Sequence, residues 1–246
     1  MINIFSTLRF NIQAFGLVKG LQFPVFIYGK IKIGEIGDIR IMCPIRRRLL
    51  VIGSNHSTVA APYTVFHNTG IIEIHGRVFL NYGSVLSNSG LIVFQGNNLF
   101  GNQTDINIVN RIEFGRNTSI GFESHITDND HHFVLDVTTH KVSRNNAPIT
   151  IGSFNWIGSH CFIKKGTITP DYFIVASPCS MLSKDYSSLP PNTVMAGCPA
   201  HPVKQGIRRI YNFSEERKIK EYFTKHPEIE YFQYDEDANL DEICRL

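Results

Sequence analysis

The sequence predicts an all-β chain wound as a parallel β-helix of hexapeptide coils. Three observations point there. Aliphatic residues recur six apart at Ile108, Phe114, Ile120 and Ile126, and again at Ile151, Ile157 and Ile163, with Thr169 and Val175 continuing the count. Gly, Asn, Ser and Thr separate these beats, as in "IG" at Ile120, Ile151 and Ile157. Sustained helical periodicity is missing from the middle of the chain. A six-residue step fits neither an amphipathic helix nor a long alternating strand. It fits coils whose short walls each send one aliphatic inward, onto the same position of the next coil. A β-sandwich of short strands is the alternative architecture.

Each segment follows from that reading. Residues 1–30 form an N-terminal arm or cap, because a stacked repeat needs its ends closed. Residues 31–204 carry the coils. Ile72 and Val78 keep the step there, with looser turns around Val85 and Leu91. Between about 133 and 148 the beat fails, which predicts a loop leaving the coil. Loops of that length are often functional. Residues 205–246 form an acidic helical tail, in which "SEERKIKEYFTKH" reads as a helix stopped before Pro227.

Charge is unevenly spread. Net charge is +3, yet from Ser214 onward ten Asp and Glu face five Lys and Arg. The body is therefore basic and suits an anionic ligand such as a nucleotide cofactor or a glycan lipid. "IRRR" at Ile45–Arg48 is the single tight basic cluster, and its plain reading is a solvated loop. No dense basic run with interleaved aromatics argues for nucleic acid. No apolar run is long enough to span a bilayer, and the start lacks signal-peptide features. The expected location is cytoplasmic, with transient contact to a membrane surface if the acceptor is lipid-linked. Five scattered cysteines without CxxC spacing read as free thiols.

The chemistry concentrates in "TDNDHH", Thr127 to His132. A neutral imidazole accepts and returns protons near neutrality. His132 is six after Ile126 and so falls on the beat. A zinc site needs three convergent protein ligands. His125 and His160 have the spacing of two ligands in a β-helix carbonic anhydrase, but Lys165 stands where the third would be. No metal is expected.

At "NWIGSHCFIKKGTITPD" (Asn155–Asp171) the chain resembles the hexapeptide-repeat acyltransferases, which often read "vWIGsnv.I.pGvtIgd". "SKD" at Ser183–Asp185 and "LPPNTVMAGCPAHPVK" at Leu189–Lys204 resemble that family's ending. The resemblance covers roughly Ile31 to Lys204 and is most like the sugar O-acetyltransferase branch. It implies a left-handed β-helix, an acetyl-CoA co-substrate, a small-molecule or glycan acceptor, and a homotrimer with sites between subunits. "ITDNDHHF" is similar to the branch's "ITDtD.HP", which makes His132 the general base rather than His131, with Phe133 in place of Pro. Asp128 and Asp130 orient the imidazole, hold acceptor hydroxyls, or shape a turn; His131 is a neighbour of the base or solvated.

For the co-substrate, the resemblance implies Trp156 near the thioester end, with Gly158 and Ser159 beside it. It places Ser183 and Lys184 near the nucleotide and Lys204 near the phosphates. His201 replaces a basic residue of the pattern. The larger departure is "IVASPCSMLSKD", one residue longer than the family's "vIGAGSVVTKD". Ala176 and Ser177 are the expected backbone contacts in that altered turn. The expected activity is O-acetylation of a sugar hydroxyl in capsule, O-antigen or other glycan assembly. The alternatives are N-acetylation of an amino sugar, or an impaired β-helix scaffold.

Overall fold

The computed structural model describes residues 1–54, 62–176 and 178–245. Its centre is a coil with three walls. Among the described residues the first wall holds nine strands, from Val25–Ile27 to His201–Lys204. The second holds seven, from Ile31–Ile33 to Met181–Leu182, and the third five, from Asp38–Ile41 to Ile149–Ile151. Neighbours within each wall are parallel, except where His201–Lys204 folds back against Val194–Ala196.

In-register stacking explains the beat. Ile106, Ile126 and Ile163 pair in sequence on the second wall, and Phe100, Ile120, Ile157 and Val175 on the first. All seven are buried. The step of six is not uniform, however. Asn68 and Asn88, stacked in successive upstream coils, are 20 residues apart. Ile72, Ile92 and Ile112 keep the same interval on the third wall. These third-wall strands carry two inward residues, such as Ile92 with Phe94. In this longer coil Val85 and Leu91 are only half-buried, and Leu86 and Ile92 point inward instead. Downstream the coil shortens to three hexads, as the pairing of Ile157 with Val175 shows.

Aromatic rings fill the wider coils. Phe94 and Phe114 stack at 5.4 Å, and Phe100 meets both edge-on at 5.7 and 4.9 Å. Such pairs add about 0.5–1.5 kcal/mol each beyond their buried area. Corners are less simple than small residues alone. Gln103, Glu123, His160 and Cys179 occupy one corner column with φ between 54 and 65°. Gly121 precedes this turn because a Cβ there would collide with the backbone nitrogen of Ser159.

The N-terminal end is closed. Helix α1 (Ile4–Gly20) packs Phe10 edge-on against Phe66. Asn11 accepts from the Val25 amide and donates to its carbonyl, while Thr7 serves Ile27 in the same way. These side chains satisfy an edge strand that would otherwise expose unpaired backbone. The coil thus begins at Val25, ahead of the expected boundary at Ile31, because Val25–Ile27 pairs with Leu50–Ile52. At the other end, α2 (Phe213–Lys225) and α3 (Leu240–Cys244) return along the first wall. Tyr211 donates to the Asn155 carbonyl at 2.9 Å, Arg208 lies 4.0 Å over Tyr172, and Arg245 donates to the Tyr172 hydroxyl.

Candidate active site

Parallel pairing puts Asp105, His125, Phe162 and Met181 in one outward column of the second wall. Adjacent strands are about 4.8 Å apart, so these side chains touch in sequence. Asp105 Oδ2 is 3.0 Å from His125 Nδ1, and the Phe162 ring centroid is 6.0 Å from that of His125. A carboxylate on Nδ1 selects the tautomer whose Nε2 is free to accept a proton. His125, Phe162 and Met181 line a cavity of about 640 Å³, together with His131, His132, Lys164 and Cys198.

The histidine pair arrives through a tight reversal. Thr127 donates to the Asn129 carbonyl, and Asn129 Oδ1 accepts from the His131 amide. His131 has φ of 60°, and the His132 amide donates to the Asp130 carbonyl at 2.7 Å. This three-residue turn leaves both histidines exposed. His132 is therefore not on a wall of the coil, contrary to the count of six. The wall position that stacks on Ile112 is taken by Ile149. Between them a neck closes: the Asp130 amide donates to the Asn145 carbonyl, and the Ala147 amide to that of Asp128. The excursion is a β-hairpin arm, Leu135–Asp136 against Lys141–Val142, with Phe133, Val134 and Val137 exposed.

The two acids part company. Asp128 is fully buried and accepts from the amides of Val109, Asn110 and Arg111 at 2.7–2.9 Å. It stands one coil beyond Ile108, which pairs with Asn88, which pairs with Asn68. Asn88 likewise caps the Gly90 amide at its own corner. Asp128 continues that capping column and does not orient an imidazole. Asp130 meets Lys165 at 2.6 Å and Lys164 at 3.6 Å. The Lys165 hydrogen bond holds its carboxyl below the usual value. Lys165 also donates to the Arg144 carbonyl, so Asp130 clips the neck of the arm.

The residues expected to hold a co-substrate frame the second wall without converging in one chain. Gly158, Ser159 and Ala176 lie on the corner between first and second walls; Ser183 and Lys184 follow the second wall on its other side. The Ala176 amide donates to the Met195 carbonyl, and its own carbonyl accepts from the Ser180 hydroxyl, so both backbone groups have partners within the chain. Ser177 lies outside the described residues. The departure there is real: Val175 to Leu182 spans one residue more than Ile157 to Ile163, with which they pair. Lys204 is exposed on the fold-back strand. Trp156 faces outward on the first wall, 42% exposed, with the Arg209 guanidinium 5.1 Å over its ring. Among the described residues no group of three His, Cys, Asp or Glu could hold a metal ion.

Sequence reasoning misses three contributors. It takes His125 only as a metal ligand, although Asp105 stands one upstream coil before it. Phe162 has the same register signal. Arg209 has none, because it comes from the tail.

Over 79 residues the chain is 38% identical to the galactoside O-acetyltransferase of Escherichia coli (strain K12), covering 29% of this chain and 37% of that protein. The chain thus matches little more than a third of that relative's length. Among solved structures, the polySia specific acetyltransferase NeuO superposes with a TM-score of 0.52 at 17% identity, over 86% of this chain and 91% of that one. The polysialic acid O-acetyltransferase OatWY gives 0.41 at 17% identity, over 77% and 94%. No family model matches the chain. The likeness to the first structure establishes the fold, a left-handed parallel β-helix.

Proposed function

We propose that this chain is an acetyl-CoA-dependent O-acetyltransferase that acts on a sugar hydroxyl in glycan assembly. The carrying observation is the second-wall cavity, where three imidazoles meet a built turn and a carboxylate-held column. His132 is the proposed base. Exposed at the root of the arm, it can reach an acceptor hydroxyl and remove its proton as the oxygen attacks the thioester. The same imidazolium can then return a proton to the leaving thiolate. The Lys164 ammonium at the cavity wall supplies positive charge near the developing oxyanion.

The co-substrate contacts lie on two corners of one chain and on the first wall. They come together if copies pack side by side, so a homotrimer with sites between subunits is part of the proposal. Trp156 and Arg209 would cover the thioester arm, and Ser183, Lys184 and Lys204 would face its phosphates. The O-acetyl reading is preferred to N-acetyl transfer on the strength of the local similarity to a galactoside O-acetyltransferase.

A second assignment has its own support: Asp105 fixes His125, while the carboxylate nearest His132 in sequence, Asp130, is taken by Lys165. In that assignment His125 is the base and His132 binds the acceptor. Acetyl-CoA turnover against a glycan panel, with His132→Ala and His125→Ala, decides between them. Loss of roughly 10²–10⁴ in rate marks the base. Undiminished turnover in both variants sinks the site, and no acetyl-CoA binding by calorimetry leaves the scaffold alternative.

A further inference from the structure

The N-terminal helix is apolar on both sides. Its inner side, Phe10 with Ala14 and Phe15, packs on the coil. Its outer side leaves Ile4, Phe5, Leu8, Leu17, Val18 and Leu21 exposed, from 39% at Leu8 to 83% at Val18, with a kink at Gly16 between the two halves. A helix of this kind is a buried element that lacks its outer neighbour. The charges around it decide what that neighbour is. Residues 1–34 contain no acid, and the first 48 residues hold eight Lys and Arg against two acids. Both of those acids lie outside α1, and Asp38 is paired with Arg40.

The basic loop abuts the end of the helix. Arg47 and Ile45 line a depression shared with Leu21, Gln22 and Phe23. The Arg48 amide donates to the Phe23 carbonyl. Arg9, Lys19, Arg46, Arg47 and Arg48 are all exposed. Large apolar side chains fringed mainly by cations, on a helix that caps the end of the coil, are complementary to an anionic lipid surface. A second copy of the chain would bring the same cations onto themselves.

We propose that α1 and the Arg46–Arg48 loop dock the protein on an anionic membrane, with the apolar side chains at the acyl boundary and the arginines among the headgroups. The His125 cavity is four coils above the first, roughly 20 Å at about 4.8 Å per coil. The docking stands without the acetyltransferase reading; only its use, presenting the cavity to a lipid-linked glycan, rests on that reading.

The test is co-sedimentation of the full chain with phosphatidylcholine vesicles, with and without phosphatidylglycerol. Binding is expected only with the anionic lipid and should fall steeply with added salt. Leu17→Ser with Val18→Ser, and separately Arg46→Gln with Arg47→Gln, should each weaken it at least about tenfold, with unchanged thermal unfolding and unchanged turnover on a soluble acceptor. No binding of wild type to anionic vesicles overturns the proposal, as does binding that both double variants leave intact. Sedimentation velocity covers the rival occupant: if Leu17→Ser with Val18→Ser dissociates an oligomer and wild type ignores lipid, the face belongs to a second copy.

Discussion

Trp156 and Phe162 stand six residues apart, at outward positions of adjacent walls in one coil. Their inward neighbours, Ile157 and Ile163, are both buried and interchangeable in role. The outward pair is not. Trp156 lies in a groove of about 620 Å³ beneath the tail, between Arg208, Arg209 and α2. Phe162 lies in the cavity beneath the histidine turn and the arm. The repeat supplies equal walls, and the segments outside it set the first against the cationic tail and the second against the histidine turn and the arm. Outward chemistry in this fold therefore belongs to the insertions as much as to the coils.

The largest effect that tests this contrast is catalytic. His132→Ala should lower turnover by roughly 10²–10⁴ if the arm root carries the base, with His125→Ala costing under about tenfold. Steady-state kinetics on both variants reads the ratio, and an inverted ratio moves the base from the insertion to the coil. Next comes stability. Asp128→Ala removes a buried carboxylate from three amides and should cost roughly 3 kcal/mol, read by denaturant unfolding. A cost below about 0.5 kcal/mol, within the range of ordinary surface substitutions, would remove Asp128 from the capping column.

On the first wall, Arg209→Ala should raise the KM for acetyl-CoA several-fold and leave kcat nearly unchanged, as loss of uniform binding does. A fall in kcat at constant KM would place Arg209 in the chemistry. Smaller effects are expected in pH. Burial pushes the Tyr211 hydroxyl up to about 12. A raised folded value favours the protonated form, so its contribution is whole below the ordinary value of 10 and lost as pH rises toward 12. Tyr211→Phe should abolish that alkaline component, measured by unfolding between those limits. Asp130 has the opposite sign. Its clip on the arm is present above the ordinary carboxylate value and lost as pH falls through the lower folded one. At neutral pH, Asp130→Asn should speed hydrogen exchange of the Ala147 amide and leave Ile149 protected.

Much of this was legible in residue order. Ile108 to Ile163 announced the coil because inward positions face identical neighbours one turn away, so the same residue type recurs. The failure of the beat between about 133 and 148 announced the arm, and the extra residue between Val175 and Leu182 was countable. Three things misled. The upstream coil is longer than three hexads, which shifted the beat at Val85 and Leu91. The chain leaves the coil at the Asn129–His131 turn, so the wall position six after Ile126 goes to Ile149 and not to His132. Asp128 was grouped with the histidines because it is adjacent in sequence, although its partners are 17–19 residues away.

The sequence by itself determined the coil, its core column and the excursion, because each depends on a local pattern repeated along the chain. Tertiary structure alone decided which acid orients which group, that Asp105 holds His125, and that Arg209 covers Trp156. Those contacts join residues whose separation is set by coil length, by the arm, or by the path of the tail. No local pattern encodes a distance between side chains that meet only after the chain has wound past itself.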